Sequence, residues 1–185
     1  MTRNVKRFLA GSLLSLAPSI AFAGQTEFGF PDVLSQRGEY VTLRSEGIPL
    51  PVRNGEPVQS IGPATEDLLV LNQTGANVSL GIQILTGTLN GVYAPYPLTS
   101  GSYGGYQVAA PTPPAVQQYY WTVDPANPGG VKTCIWRLEV VDAAGICSAT
   151  AYQVASFGGA TCTIDAALSY IDQVSCKTQL VTGIL

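Results

Sequence analysis

Between Lys132 and Val141 the side chains alternate strictly: Cys134, Trp136, Leu138 and Val140 on one side, Ile135, Arg137, Glu139 and Val141 on the other. Only an extended strand sends successive residues to opposite faces. The most strongly patterned stretch of the chain is therefore a β-strand with Trp136 aimed at a core. Shorter segments repeat the theme: Leu68 to Leu71, Val78 to Leu85 with Val78, Leu80, Ile82 and Ile84 in step, Gln118 to Val123, Ile146 to Ala155, Ala160 to Ile164, and 174–184. Turn chemistry separates them at Asn72-Gln73-Thr74-Gly75, Asp124 to Gly130, Asp142-Ala143-Ala144-Gly145 and Phe157-Gly158-Gly159. Segment 163–172 is ambiguous, because Ile164, Leu168 and Ile171 also suit one face of a short helix. Twenty Gly and thirteen Pro keep the elements short. The pattern predicts an all-β fold, a disulfide-stabilised antiparallel β-sandwich of Ig-like or jelly-roll-like kind, with a barrel as the alternative. It divides the chain into a secretory signal peptide (1–23), a Pro/Gly-rich N-terminal arm (24–63) and the sandwich (64–185).

The signal is read from chemistry at the N-terminus. Arg3, Lys6 and Arg7 precede an uncharged run from Phe8 to Ala23, and Pro18 breaks that run just before Ala21-Phe22-Ala23, a small-x-small cleavage pattern ahead of Gly24. A membrane anchor fits less well, since these 16 residues fall short of the roughly 20 that a spanning helix needs. The expected location is secreted, periplasmic or at the cell surface, with the Ala-x-Ala end leaning to a bacterial host.

Cysteine usage agrees with export. Cys134, Cys147, Cys162 and Cys176 are spaced by 13, 15 and 14 residues, so no CxxC pair exists for zinc or redox work, and the chain has no His. Two structural disulfides are expected. A hairpin over 162–176 centred near Ser169 would pair Cys162 with Cys176, leaving Cys134 with Cys147. A tight turn at 142–145 would instead put Cys134 and Cys147 out of register, so the connectivity stays open.

Charge divides the chain further. Removal of the signal leaves six basic residues against twelve acidic ones, a balance that repels phosphate backbones and argues against nucleic acid as a partner. No charged residue occurs from Leu68 to Val123. The arm before it carries Gly47-Ile48-Pro49-Leu50-Pro51 and Asn54-Gly55-Glu56-Pro57, where prolines limit strands to edge pieces; Tyr40-Val41-Thr42-Leu43 is its one convincing strand. The arm either wraps the domain or serves a partner. Asn72-Gln73-Thr74 and Asn77-Val78-Ser79 match the glycosylation sequon, which carries little weight in a bacterial host.

Within the neutral stretch, residues 86–117 interleave Tyr93, Tyr96, Tyr103 and Tyr106 with seven Gly or Pro residues before the Pro111, Pro113, Pro114 segment. This composition reads as a long loop. Together with Trp121, its tyrosines are candidate ligand-binding residues: flat amphipathic rings suited to uncharged surfaces. The competing expectation is that they cover the edge of the core.

Catalytic chemistry is poorly supplied. Without His a serine nucleophile would need Lys132 or Lys177 as base, and neither sits in a supporting motif. Gly101-Ser102-Tyr103-Gly104-Gly105 neither follows a clear strand nor opens a helix, so it is no phosphate loop. A carboxylate-based glycosidase could draw on Asp124, Glu139, Asp142, Asp165 and Asp172; Asp165 and Asp172 would share a helix face if that segment were helical. Calcium binding by Asp124 and Asn127 lacks the usual acidic density. No motif asks for a metal or cofactor. The expectation is a non-catalytic assembly or adhesion subunit, whose partners are protein (self or a surface partner) or uncharged glycan. A secreted glycan- or protein-binding module using the aromatic loop is the alternative. A pore-forming toxin ranks below both, because the proline-broken neutral stretch alternates too poorly for a membrane hairpin.

Overall fold

The computed structural model describes residues 46–53, 64–94, 96–110 and 113–185. The signal segment, Tyr40 to Leu43 and most of the arm lie outside the described residues. Among those described there is no helix, and eleven strands form two sheets. The five-stranded sheet runs in the order β1 (Ile48–Pro49), β8 (Ile146–Phe157), β7 (Thr133–Ala143), β6 (Ala115–Thr122) and β3 (Ser79–Ile84). The six-stranded sheet runs β10 (Tyr170–Ile171), β11 (Thr178–Ile184), β2 (Ala64–Asn72), β5 (Tyr103–Ala110) and β4 (Thr88–Val92), with β9 (Cys162–Ile164) also pairing β11. All neighbours are antiparallel except β2 and β11, which run parallel from Glu66↔Thr178 to Asn72↔Ile184. The sheets do not close on each other, so the fold is a sandwich and the barrel does not form.

One core fills the space between the sheets. Tyr119 and Trp121 of β6 and Trp136, Leu138 and Val140 of β7 meet Leu68 and Val70 of β2, Tyr106 and Val108 of β5, and Leu180 and Ile184 of β11. The alternation read from Lys132 to Val141 is what places them: Cys134, Trp136, Leu138 and Val140 are all buried, while Arg137 and Glu139 form a 2.6 Å ion pair on the opposite face. Ile135, on that same opposite face, is buried as well. It packs with Tyr120 beneath Val154, Ala155 and Phe157 in a small second cluster, beside a bulge in the β7–β8 pairing.

Two expectations need correction. Residues 86–117 are not one loop, since β4, β5 and the start of β6 lie within them. Segment 163–172 is not helical: β9 and β10 flank a turn in which Asp165 Oδ1 accepts the backbone N–H groups of Ala167 (3.0 Å) and Leu168 (3.1 Å).

Disulfides join Cys134 to Cys162 and Cys147 to Cys176, with Cα–Cα distances of 5.7 and 5.3 Å. Neither local pairing suggested by the sequence forms. The hairpin of this region is β10–β11, whose Ile171↔Thr178 pair puts Cys176 in the turn rather than opposite Cys162. Cys134 lies opposite Ser156, and Cys147 opposite Asp142, at the other end of the β7–β8 ladder. Each bridge instead ties a strand of the five-stranded sheet to a segment of the six-stranded one. The described part of the arm packs on the same body. β1 pairs with β8, Leu50 enters the core, and Arg53 N–H and Pro51 C=O bond Ile171 of β10 (both 2.9 Å). Pro49 thus sits where a missing N–H is tolerated, in a two-residue edge strand.

Candidate outer-face binding site

Alternation along β2 sends Glu66, Leu68, Val70 and Asn72 inward, and Asp67, Leu69 and Leu71 to the outer face of the six-stranded sheet. Register with the two neighbours then builds three rungs on that face. Gln179, Asp67 and Gln107 form a polar rung; Val181, Leu69 and Gly105 form the next; Gly183, Leu71 and Tyr103 form the third. Gly105 cannot be replaced without displacing backbone. With φ at 157°, a Cβ there would lie 2.4 Å from the Leu68 carbonyl oxygen and 2.9 Å from Leu69 Cα.

Tyr93 follows β4, and its N–H donates to Gly105 C=O (2.9 Å). Its hydroxyl donates to Asp67 Oδ1, while Gln107 Nε2 donates to Asp67 Oδ1 (2.6 Å) and to the Tyr93 hydroxyl (2.8 Å), and Asn90 Nδ2 donates to Gln107 Oε1. Desolvation first, and the Asp67 carboxylate second, raise the Tyr93 hydroxyl well above the usual phenol range. Tyr93 therefore remains a proton donor at physiological pH, and the residue is 51% exposed.

At the other end of the strip Tyr103 is 55% exposed and borders a groove of about 370 Å³, with Leu71 and Gly183 in its floor and Gln73, Thr163 and Asp165 at its polar rim. Buried Asn72 fixes this end. Its Nδ2 donates to Leu98 C=O (2.9 Å) and Ala76 C=O (2.8 Å), and its Oδ1 accepts from Thr74 N–H (3.0 Å). One side chain thereby holds both the loop that carries Gln73 and the loop that leads into Tyr103.

The structure separates the five aromatic residues singled out in the sequence. Tyr93 and Tyr103 face solvent, whereas Tyr106 and Trp121 are fully buried and are closed to any ligand while the core is intact. Tyr96 is partly buried, stacked on Trp121 at 6.0 Å with its hydroxyl on Gly105 C=O (3.2 Å). Edge-to-face contacts of Tyr119 with Tyr106 (5.6 Å) and Trp121 (6.0 Å) complete a row of rings inside the sandwich. Asp67, Asn90 and Gln107 were not among the sequence candidates. Their relation depends on strand register, which no local motif announces.

The five carboxylates weighed for hydrolysis do not converge. Asp124, Asp142, Asp165 and Asp172 each accept backbone N–H groups two or three residues ahead, at 2.7–3.1 Å, and Glu139 is paired with Arg137. No group of three or more His, Cys, Asp or Glu among the described residues could hold a metal ion.

Behind the strip, Glu66 is 1% exposed in the core and its Oε2 meets no hydrogen-bond partner among the described residues. Burial pushes its carboxyl up from 4.5 to about 7, against a smaller lowering by Gln117. A raised folded-state value means that the folded chain holds a proton which the unfolded chain has released. The stability that Glu66 contributes is therefore complete below pH 4.5, is lost as pH rises through about 7, and changes no further above it. The loss amounts to about 3 kcal/mol. Urea titrations at pH 4.5 and 8 should show it, and Glu66→Gln should shrink the difference by about that amount; an equal slope in both proteins would contradict the assignment.

No protein-family model, curated protein or solved structure matches the chain.

Proposed function

We propose that this chain is an exported, non-catalytic adhesion module of the cell surface or extracellular space, which recognises an uncharged partner through the outer face of its six-stranded sheet. The carrying observation is the placement of the two exposed tyrosines, Tyr93 and Tyr103, on one strip that lacks Lys and Arg, the Tyr93 hydroxyl in the polar rung and Tyr103 in the third. Structural uses for all five weighed carboxylates favour binding over catalysis. Export is supported by the N-terminal signal pattern and by two disulfides, which persist in oxidising compartments; among the described residues no helix is long and apolar enough to cross a membrane.

A second reading, assembly from copies of the chain, draws on one observation. β3 ends the five-stranded sheet with the sequence Ser79-Leu80-Gly81-Ile82-Gln83-Ile84, free of the charges and prolines that usually blunt an edge. Size-exclusion chromatography of the mature protein over a concentration series, with and without a soluble neutral polysaccharide such as hydroxyethylcellulose or glycol chitin, separates the two. A monomer that shifts with polysaccharide supports recognition. Oligomers that grow with concentration and ignore polysaccharide would replace it with assembly.

A further inference from the structure

We infer that the partner is a neutral, unbranched glycan chain, laid along β2 from the Tyr103 groove to the Tyr93 cluster; this rests on the recognition reading above. The three rungs grade from polar through apolar to aromatic in the manner that a chain of pyranose rings requires. A sugar ring has an apolar C–H face, which stacks on an aromatic ring, and a rim of hydroxyls, which needs donors and acceptors in the same plane. Tyr103 offers the ring at one end, with Gln73 and Thr163 beside it as amide and hydroxyl partners. Tyr93 offers the ring at the other, set among Asn90 and Gln107. Between them lies the rung of Val181, Leu69 and Gly105, which carries no charged or polar side chain.

Charge selects the glycan class. The ionisable carboxylates along the strip are Asp67 and Asp165, and no Lys or Arg lies beside them in the groove or the Tyr93 cluster. Phosphate, sulfate or uronate groups would meet two carboxylates and no counterion, so polyanions are disfavoured. Asp67 is already held by Tyr93 and Gln107, and one oxygen of Asp165 caps its own turn, which leaves the amides and hydroxyls to read the ligand. A peptide partner would fit poorly here for a different reason. Sheets capture extended peptides at their edges, through the backbone, whereas this strip is a face whose backbone groups are spent in the ladders.

Length is the remaining constraint. Asp67 and Leu71 are four residues apart on one strand, about 13 Å at 3.3 Å per residue, more than a single ring covers. The Tyr93 hydroxyl at Asp67 and the Tyr103 ring opposite Leu71 reward a ligand long enough to touch both.

Native affinity electrophoresis of the full mature chain in gels containing hydroxyethylcellulose, glycol chitin or polygalacturonate tests this, with free gluco- and chito-oligosaccharides of increasing length as competitors. Retardation by a neutral polymer but not by polygalacturonate is expected. Longer oligosaccharides should compete about tenfold better than the monosaccharide, and added salt should change little. Tyr103→Ala and Tyr93→Ala should each weaken retention about tenfold, and Tyr103→Trp should keep it. Melting curves of the Tyr103 variants should match the wild type, because that ring is largely outside the core. Competition independent of length, preference for polygalacturonate, or full retention by Tyr103→Ala would overturn the inference. If neutral polymers fail but the immobilised chain captures a second copy of itself in a Tyr103-dependent way, the glycan assignment falls and the recognition surface stands. If oligomers form and Tyr103 affects nothing, both fall.

Discussion

Replacing Trp136 with alanine lowers the unfolding free energy by about 3–5 kcal/mol, the cost of emptying a large aromatic site in a close-packed core. The side chain is 1% exposed and stands opposite Tyr119 in the β6–β7 ladder, within the layer that receives Leu68, Tyr106 and Leu180 from the other sheet. Collapse around the void is hindered because both neighbours in the ladder are committed to their own strands. Equilibrium urea unfolding measures the loss. Val141→Ala in the same strand, at an exposed position, is the control and should stay within about 0.5 kcal/mol. A Trp136 effect of that small size would mean that the strand presents its other face to the core.

Removing either disulfide has a similar cost. The bridges close loops of 28 and 29 residues, and chain entropy released to the unfolded state over such spans is worth about 3–4 kcal/mol each. Because the spans are nearly equal, the Cys134→Ala/Cys162→Ala and Cys147→Ala/Cys176→Ala proteins should lose comparable stability. Reduction of both bridges removes about 7 kcal/mol, a large share of the 5–15 kcal/mol that domains usually possess. Denaturant midpoints of the two double variants and of the reduced protein provide the comparison. One bridge that could be deleted at a cost within 0.5 kcal/mol would show that loop closure does not govern its contribution.

The parts of this fold that could be read from sequence are those with a local period. Lys132 to Val141 alternates without interruption, and its strand, its buried face and its Arg137–Glu139 pair all follow from that. Residues 103–110 alternate as well, with Tyr106 and Val108 inward, but Gly104 and Gly105 disguise them as loop. In the folded chain those glycines are where β5 presses against neighbouring atoms rather than where it bends. The tyrosines illustrate a second limit. Tyr103 and Tyr106 are three apart, so a strand sends them to opposite faces, and only knowledge that 103–110 is a strand would have parted them. Asp165 and Asp172 mislead in another way, since a spacing of seven fits a helix face and equally fits two successive Asp-initiated turns. Asp67 meets Tyr93 and Gln107 only through the register of β2, β5 and β4, and the disulfide pairing follows from sheet packing; neither is encoded in neighbouring residues.

The parallel pairing of β2 with β11 sets an order of events. Every other long ladder, among the described residues, joins strands close in the chain or reached by one crossover, but β2 gains its second neighbour only after all other described strands have been made. Leu180 and Ile184 then complete the core layer begun by Leu68 and Val70. Such long-range closure is slow, because the entropy of bringing the segments together is spent before any contact forms. Until β11 is made, the six-stranded sheet therefore lacks the strand between β2 and β10, and the core lacks Leu180 and Ile184. A polypeptide that must thread a translocation channel before it folds benefits from that delay. In a chain exported as proposed, the strand that finishes the sandwich would also defer it until the cysteines reach a compartment where they can be oxidised.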